Sequence, residues 1–386
     1  MSGCLRRRVW AEIDLGALVR NYGRIAALVS PAKVLCVLKA NAYGLGVGEY
    51  AKALSRTDCA GFGVAEPFEA MELVRCLGGA GNRVKDVQIM SAVLPDEIDE
   101  MVALGAILPV TDFDTAALIS RAAAARGVVA RVHFKIDSGM GRLGIPAASA
   151  MDTVRRAVAL PNLDCEGIFS HCPVAYEPED PFTHGQIARF KALLDELRGA
   201  GISFRKVHIA ASDAINNFPE AARPPFTMVR TGINLHGSFD PNGRRALKVE
   251  SVLSLKSRVA QVRTLPAGAT IGYGRTFQVA SPMRVATVSA GYADGLPLAL
   301  SNRGYMLVGG ARCPVVGRLS MDYTTIDVTH APEVKPGDEV VCLGVSGGES
   351  VTPDDWAAIK GTHAYDIICS LGTRVERIAR GGDSAR

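Results

Sequence analysis

Lys39 is the residue best placed to do chemistry. It ends the apolar run 34–38, and Asn41, Tyr43, Gly44, Gly46 and Gly48 follow it. An unbroken apolar run of that length reads as a strand buried on both faces. In an alternating barrel the C-terminal strand ends carry the chemistry. A lysine whose stem is buried there loses its proton readily and attacks carbonyls; the plainer reading is a stem that runs out to solvent. The residues after it favour the first, because Asn41, Tyr43 and the glycines suit a close backbone approach to an anionic, phosphate-bearing ligand.

Other strand ends carry further candidates. The segment Lys135-Ile-Asp-Ser-Gly-Met-Gly-Arg142-Leu-Gly144 surrounds one arginine with glycines, so a guanidinium fork can meet a carboxylate or a phenolic oxygen. Lys135 by itself reads as a barrel-interior lysine paired with a carboxylate. Ile168-Phe-Ser-His171 ends on a histidine, a residue that is more often structural than catalytic. Ser212 and Gly232 follow consecutive strands, where barrels recurrently build a phosphate site; with Ile233, Tyr43 and Tyr365 they form the expected phosphate ligands. Arg230 sits beside Met228 and Val229, which argues against full exposure. Tyr273 stands between two glycines, as a decorative turn tyrosine also would.

Together these segments resemble the alanine racemases, with motifs in register from about residue 10 to 377. Val37-Leu-Lys39-Ala-Asn-Ala-Tyr43-Gly-Leu-Gly46 is similar to that family's pyridoxal phosphate attachment motif. The resemblance implies that Lys39 carries the cofactor and that Arg230 faces its pyridine nitrogen. His171 would belong to the hydrogen-bonded network beneath, and Arg142 would face the substrate carboxylate. Lys135 matches a position that can be carbamylated to hold the arginine. Ile271-Gly-Tyr273-Gly-Arg-Thr-Phe277 is similar to the motif whose tyrosine is the second acid–base group, reaching the partner subunit's site. A phenol titrates near 10 unperturbed, so His171 and Arg230 would have to lower it. Gly291-Tyr292-Ala-Asp-Gly-Leu-Pro297 and Gly317-Arg-Leu-Ser-Met321-Asp322 resemble the loops at the mouth of the partner's site, with the Met321 N–H on the substrate carboxylate and Tyr292 and Asp322 in support. His363-Ala-Tyr365 resembles the C-terminal phosphate-binding segment.

The function this implies is interconversion of L- and D-alanine by two bases, Lys39 and Tyr273, in a homodimer with shared sites. Ser320, Tyr323, Cys172 and Leu298 depart from the family pattern and leave a broader range or a preference for serine open. An amino-acid decarboxylase on the same architecture and a non-catalytic pyridoxal phosphate carrier are the alternatives. Arg230 argues against the first, and the second domain against the other.

These residues need a barrel to hold them. Apolar strand candidates fall at 34–38, 60–65, 87–91, 106–110, 129–136, 164–169, 205–209 and 227–233. Helical patterns lie between them, at 67–77, 114–126, 147–158 and 184–199, with another beginning near Glu49. Asp14 reads as the N-cap of a helix over Leu15–Val29. Eight strand–helix steps predict an α/β fold, a (β/α)8 TIM-like barrel over 12–243. After the turn-rich Asp240-Pro-Asn-Gly243, β-branched strands at 247–264, 269–279, 283–290, 305–309, 312–328 and 338–343 predict a mostly β domain over 244–386. Residues 1–11 read as a short strand that pairs with it.

A length of 386 residues suits a large barrel with a companion, and a net charge of +4 is too mild to argue for nucleic acid. The run Arg6-Arg7-Arg8 reads as a solvated N-terminus. Nine scattered cysteines without a Cys-x-x-Cys pair argue against a disulfide framework or a metal site. No segment reads as a signal peptide or membrane span, so the expected location is the cytoplasm.

Overall fold

The computed structural model describes residues 7–78 and 85–381. Eight parallel strands close into a ring: Lys33–Val37, Gly61–Val64, Asp86–Ile89, Leu108–Val110, Ala130–Asp137, Leu163–Phe169, Lys206–His208 and Met228–Thr231. The last pairs with the first, with Arg230 opposite Leu35. Two seams are narrower. One is a single bridge, Gln88 to Ile107. At the other, the Thr227 N–H donates to the Val207 carbonyl at 2.9 Å and the Arg230 N–H to that of Ala210 at 3.0 Å.

Local signals set the helices. Leu15–Val29 buries Leu15, Leu18, Tyr22, Ile25 and Val29 at helical spacing, and Asp14 caps it by accepting from the Ala17 N–H. Asp112 caps Phe113–Arg126 in the same way, and Gly127 ends it in the left-handed region. A helix over Ile98–Leu104 is additional to those the periodicity predicts.

The barrel interior is unusual for its architecture, which commonly fills with branched apolar layers. Arg131, His133 and Lys135 alternate along one face of their strand and meet Asp86, Glu166, His208 and the Met90 carbonyl inside the ring. The apolar residues between them, Val132 and Phe134, are buried in the core.

The second domain is built on a nine-stranded sheet around the long strand Leu253–Leu265. Trp10–Asp14 lies in this sheet, antiparallel to 253–265 and parallel to Glu376–Arg380, so the chain enters the barrel only after Asp14. Residues 1–6 and 382–386 lie outside the described residues, as does Arg6 of the arginine run. Arg7 and Arg8 are anchored on the second domain, at the Arg374 carbonyl and the Tyr323 hydroxyl.

Three predicted strands are shorter or split. The first begins at Leu253 rather than 247. Segment 269–279 is two short strands around a 3-10 turn, Tyr273–Arg275, because positive φ at Gly272, Gly274 and Arg275 breaks the extended backbone. Segment 312–328 divides into Ala311–Pro314 and Thr324–Asp327, with the loop between them turning at Gly317.

Candidate active site

The residues after Lys39 take an uncommon path. Ala40, Asn41, Ala42 and Tyr43 all have φ between 52 and 58°, a single turn of left-handed helix. Each such L-residue costs roughly 1–2 kcal/mol, and backbone and side-chain bonds offset this. Glu69 accepts from the Ala40 N–H, Leu38 O from Ala42 and Ala40 O from Gly44, while Asn41 Oδ1 accepts from Val47 at 2.7 Å. Tyr43, at the end of this turn, is buried. Lys39 itself is exposed in the single chain, so the buried stem expected of it is not found.

A cavity of about 660 Å³ opens there. Lys39, Tyr43, Lys135, Arg142, His171, Ser212, Arg230, Gly232 and Tyr365 all line it. Asp137 organises the loop that carries Arg142: one carboxylate oxygen accepts from the N–H groups of Gly139, Met140 and Gly141. Lys135 donates to the Met90 carbonyl at 2.5 Å and has no ion pair among the described residues, which removes the carboxylate partner of its plainer reading. Burial and the nearby Arg230, Arg142 and Lys39 push it down to about 8.

Arg230 is buried, not in a surface ion pair. It donates to His208 Nδ1 at 2.7 Å, to the Ser170 and Ile209 carbonyls at 2.7 and 3.0 Å, and to His171 Nδ1 at 3.4 Å. Burial lowers it to about 10, still protonated at neutral pH. The same burial, with Arg230 beside it, pushes His171 down to about 3, leaving it neutral and able to accept that bond.

At the other end, Ser212 Oγ accepts from the Gly232 N–H at 3.1 Å and lies 3.5 Å from the Thr231 hydroxyl, which can donate to it and so leave the serine O–H for a ligand. Ile233 supplies the first amide of the 3-10 helix Ile233–His236. The Tyr43 and Tyr365 rings lie 6.0 Å apart, and burial pushes both phenols up, so both stay hydroxyl donors. A Cβ at Gly232 would overlap the Tyr43 hydroxyl. Three hydroxyl donors, an amide-rich helix start and a cradle that needs glycine fit a phosphate group, with Lys39 across the same cavity. The residues present therefore fit pyridoxal phosphate.

Tyr273, Tyr292, Met321 and Asp322 are not brought to this cavity. Tyr273 is 73% exposed, Met321 52% and Tyr292 45%. They share a different surface, stitched together loop to loop. Gly272 packs against the Arg318 backbone and Gly291 against that of Met321. The Tyr292 N–H donates to the Ser320 carbonyl at 3.1 Å. Arg374 ties the cluster down, bonding Asp294 and Asp322 at 2.7 Å each and the Met321 carbonyl at 3.3 Å. Of the four departures from the family pattern, only Cys172 lines the barrel cavity.

Sequence reasoning missed Arg374, His208, His133 and Glu166. The last three had a legible signal: inward-facing strand positions in a barrel, at period two, holding polar residues.

Family models of the alanine racemase N-terminal and C-terminal domains match residues 13–240 and 252–379. The alanine racemase of Desulfosudis oleivorans is 36% identical over 389 residues, covering 97% of each chain. Among solved structures, the alanine racemase of the D-cycloserine producer Streptomyces lavendulae superposes with a TM-score of 0.90 at 31% identity, over 98% of each chain. That of Bartonella henselae, with covalently bound pyridoxal phosphate, gives 0.85 at 28% identity over 97% of this chain and 100% of its own.

Proposed function

Since the chain belongs to the alanine racemase family and is a pyridoxal phosphate-dependent isomerase interconverting L- and D-alanine, we propose that Lys39 and Tyr273 of the partner subunit are its two acid–base groups. The observation that carries this assignment is the separation of the expected residues into two sets. Lys39, Arg142 and Arg230 share the barrel cavity, whereas Tyr273, Met321 and Tyr292 lie exposed on another surface of the same chain. A homodimer that sets one surface over the other's cavity completes both sites.

Pyridoxal phosphate, when bound, supplies the electron-withdrawing system that acidifies the α-proton of an amino acid joined to it. Lys39 would hold it covalently, and Tyr43, Ser212, Tyr365 and the Gly232–Ile233 backbone would take its phosphate. Arg142 orients the alanine carboxylate, assisted by the Met321 N–H of the second subunit; Lys135 would hold Arg142 only as its anionic carbamate, because its ammonium repels the guanidinium. Lys39 Nζ then exchanges a proton with Cα on one face, and the phenol across the site exchanges one on the other; the reverse direction swaps their roles. Arg230, protonated, would donate to the pyridine nitrogen of the bound cofactor, which would limit how far charge is withdrawn and favour simple reprotonation at Cα. An acidic residue would be expected there in a decarboxylase. His171, neutral beside Arg230, links that guanidinium to the cavity wall. No helix among the described residues is long and apolar enough to cross a membrane; a cytoplasmic location is our reading.

The test is to incubate the cofactor-loaded protein with L-alanine and follow the enantiomers by chiral chromatography. A 1:1 mixture that no longer forms in Lys39→Ala supports the assignment; undiminished racemisation in Lys39→Ala or Tyr273→Phe overturns it.

A further inference from the structure

Arg230 is 4% exposed, and every group it donates to is uncharged: two imidazoles and the carbonyls of Ser170, His208 and Ile209. Lys135 and Arg142 line the same cavity and add positive charge. A buried charge is tolerated when it is paired, yet no carboxylate touches this guanidinium among the described residues. The counter-charge lies further down the barrel.

His208 Nδ1 accepts from Arg230, so its ring proton is on Nε2. That nitrogen is 3.3 Å from His133 Nδ1, which must then accept, leaving the His133 proton on Nε2. His133 Nε2 is 3.2 Å from Glu166 Oε1. A guanidinium only donates and a carboxylate only accepts, so both ends demand the same pair of tautomers. Packing fixes the rings: Phe169 stacks on His208 with centroids 5.0 Å apart, and Gly167 leaves no room for a Cβ beside His133. Arg131 and Lys206 hold Glu166 at 3.0 and 3.1 Å and keep it ionised.

We propose that Glu166 is the remote counter-charge of Arg230, delivered through His133 and His208, and thereby a positioning residue for the reaction. Each hydrogen bond in such a chain polarises the next, so the carboxylate strengthens the lone pair that His208 offers to the guanidinium. Losing it leaves Arg230 held by weaker acceptors and free to shift from the cofactor's ring. This inference rests on Arg230 serving the cofactor cavity.

The experiment uses full-length holoenzyme labelled with 15N-histidine, and compares wild type with Glu166→Gln and Asp86→Asn. Asp86 bonds the same Arg131 and Lys206 but neither imidazole, so it reports loss of the ion cluster alone. In wild type, His133 and His208 are expected as neutral Nε2–H tautomers across pH 6–9. Glu166→Gln is expected to shift both signals and lower kcat roughly tenfold at nearly constant KM, the size of a typical loss of outer-sphere support. Asp86→Asn is expected to lower the melting temperature and leave kcat and the imidazole signals in place. An Nδ1–H tautomer or a cation at either histidine in wild type overturns the relay, even if the Gln variant fails to fold. Equal loss of kcat in both variants, or unchanged kcat in Glu166→Gln, also overturns it. Failure of the wild type to racemise alanine would instead count against the reading of the site, since the imidazole signals report on the relay without turnover.

Discussion

The Tyr43 phenol occupies the space that a side chain at Gly232 would need, so the two residues close one end of the cavity as one unit. Gly232→Ala should introduce about 2 kcal/mol of overpacking and displace the Tyr43 hydroxyl. Titrating the apo-protein with pyridoxal phosphate by absorbance should then give a Kd at least roughly tenfold higher than wild type, since about 1.4 kcal/mol is tenfold. Unchanged affinity would show that the pair does not form the phosphate cradle.

The left-handed turn after Lys39 makes a different prediction. Ala40 is exposed with φ of 52°, a conformation that glycine adopts freely. Ala40→Gly should therefore raise stability by up to about 1 kcal/mol, the steric relief being partly offset by unfolded-chain entropy. Denaturant melts would detect it as a higher midpoint at unchanged m-value; a lower midpoint would contradict the reading of this turn.

Arg230→Glu removes the donor expected to face the pyridine nitrogen and introduces an acid able to share a proton with it. Racemisation should fall by roughly 100-fold or more, as when a preorganised donor is lost, and up to about one pyruvate per site should form from alanine, its amino group passing to the cofactor. A coupled pyruvate assay checks this. A variant that racemises normally and forms no pyruvate would contradict the role given to Arg230.

Acid stability follows from Glu166. His133, Lys206 and Arg131 outweigh its burial and hold it far below the usual carboxylate range. A depressed folded-state pKa stabilises the fold above the unfolded-chain value, about 4.3 for glutamate, and the stabilisation is lost as pH falls toward the folded-state value. Glu166→Gln should thus cost about 3 kcal/mol near neutrality. Its deficit should shrink steadily as melts are taken below about pH 4. A deficit that grows with acid would reverse the sign and refute the assignment.

The eight barrel strands were legible because each is a short buried run, as 34–38 and 106–110 illustrate, and the helix over Leu15–Val29 because its cap and spacing agree. The split of 269–279 was harder to read: Ile271 and Phe277 look strand-like, and only Gly272 and Gly274 hint at the turn that exposes Tyr273. The left-handed turn leaves no mark in Ala40-Asn41-Ala42, whose types are ordinary in other conformations. Arg230, Lys39 and Arg142 were found at strand ends. The polar column beneath them left a period-two signal at Arg131, His133 and Lys135 that is easily passed over, because Val132 and Phe134 between them dominate the impression of a buried strand. The proposed sharing of a site between two chains has no counterpart in periodicity; the resemblance to the racemases supplied it.

Complementation in mixed dimers tests that sharing most directly. Lys39→Ala and Tyr273→Phe are each expected to be nearly inactive alone. Unfolded together and refolded at equal amounts, they should recover roughly a quarter of wild-type racemase activity, because about half of randomly paired dimers are mixed and each mixed dimer holds one intact site. Recovery near that level would support Lys39 and Tyr273 acting from different chains. No recovery in dimers verified as mixed by mass would contradict it, and with it the central claim that each site is built from two subunits.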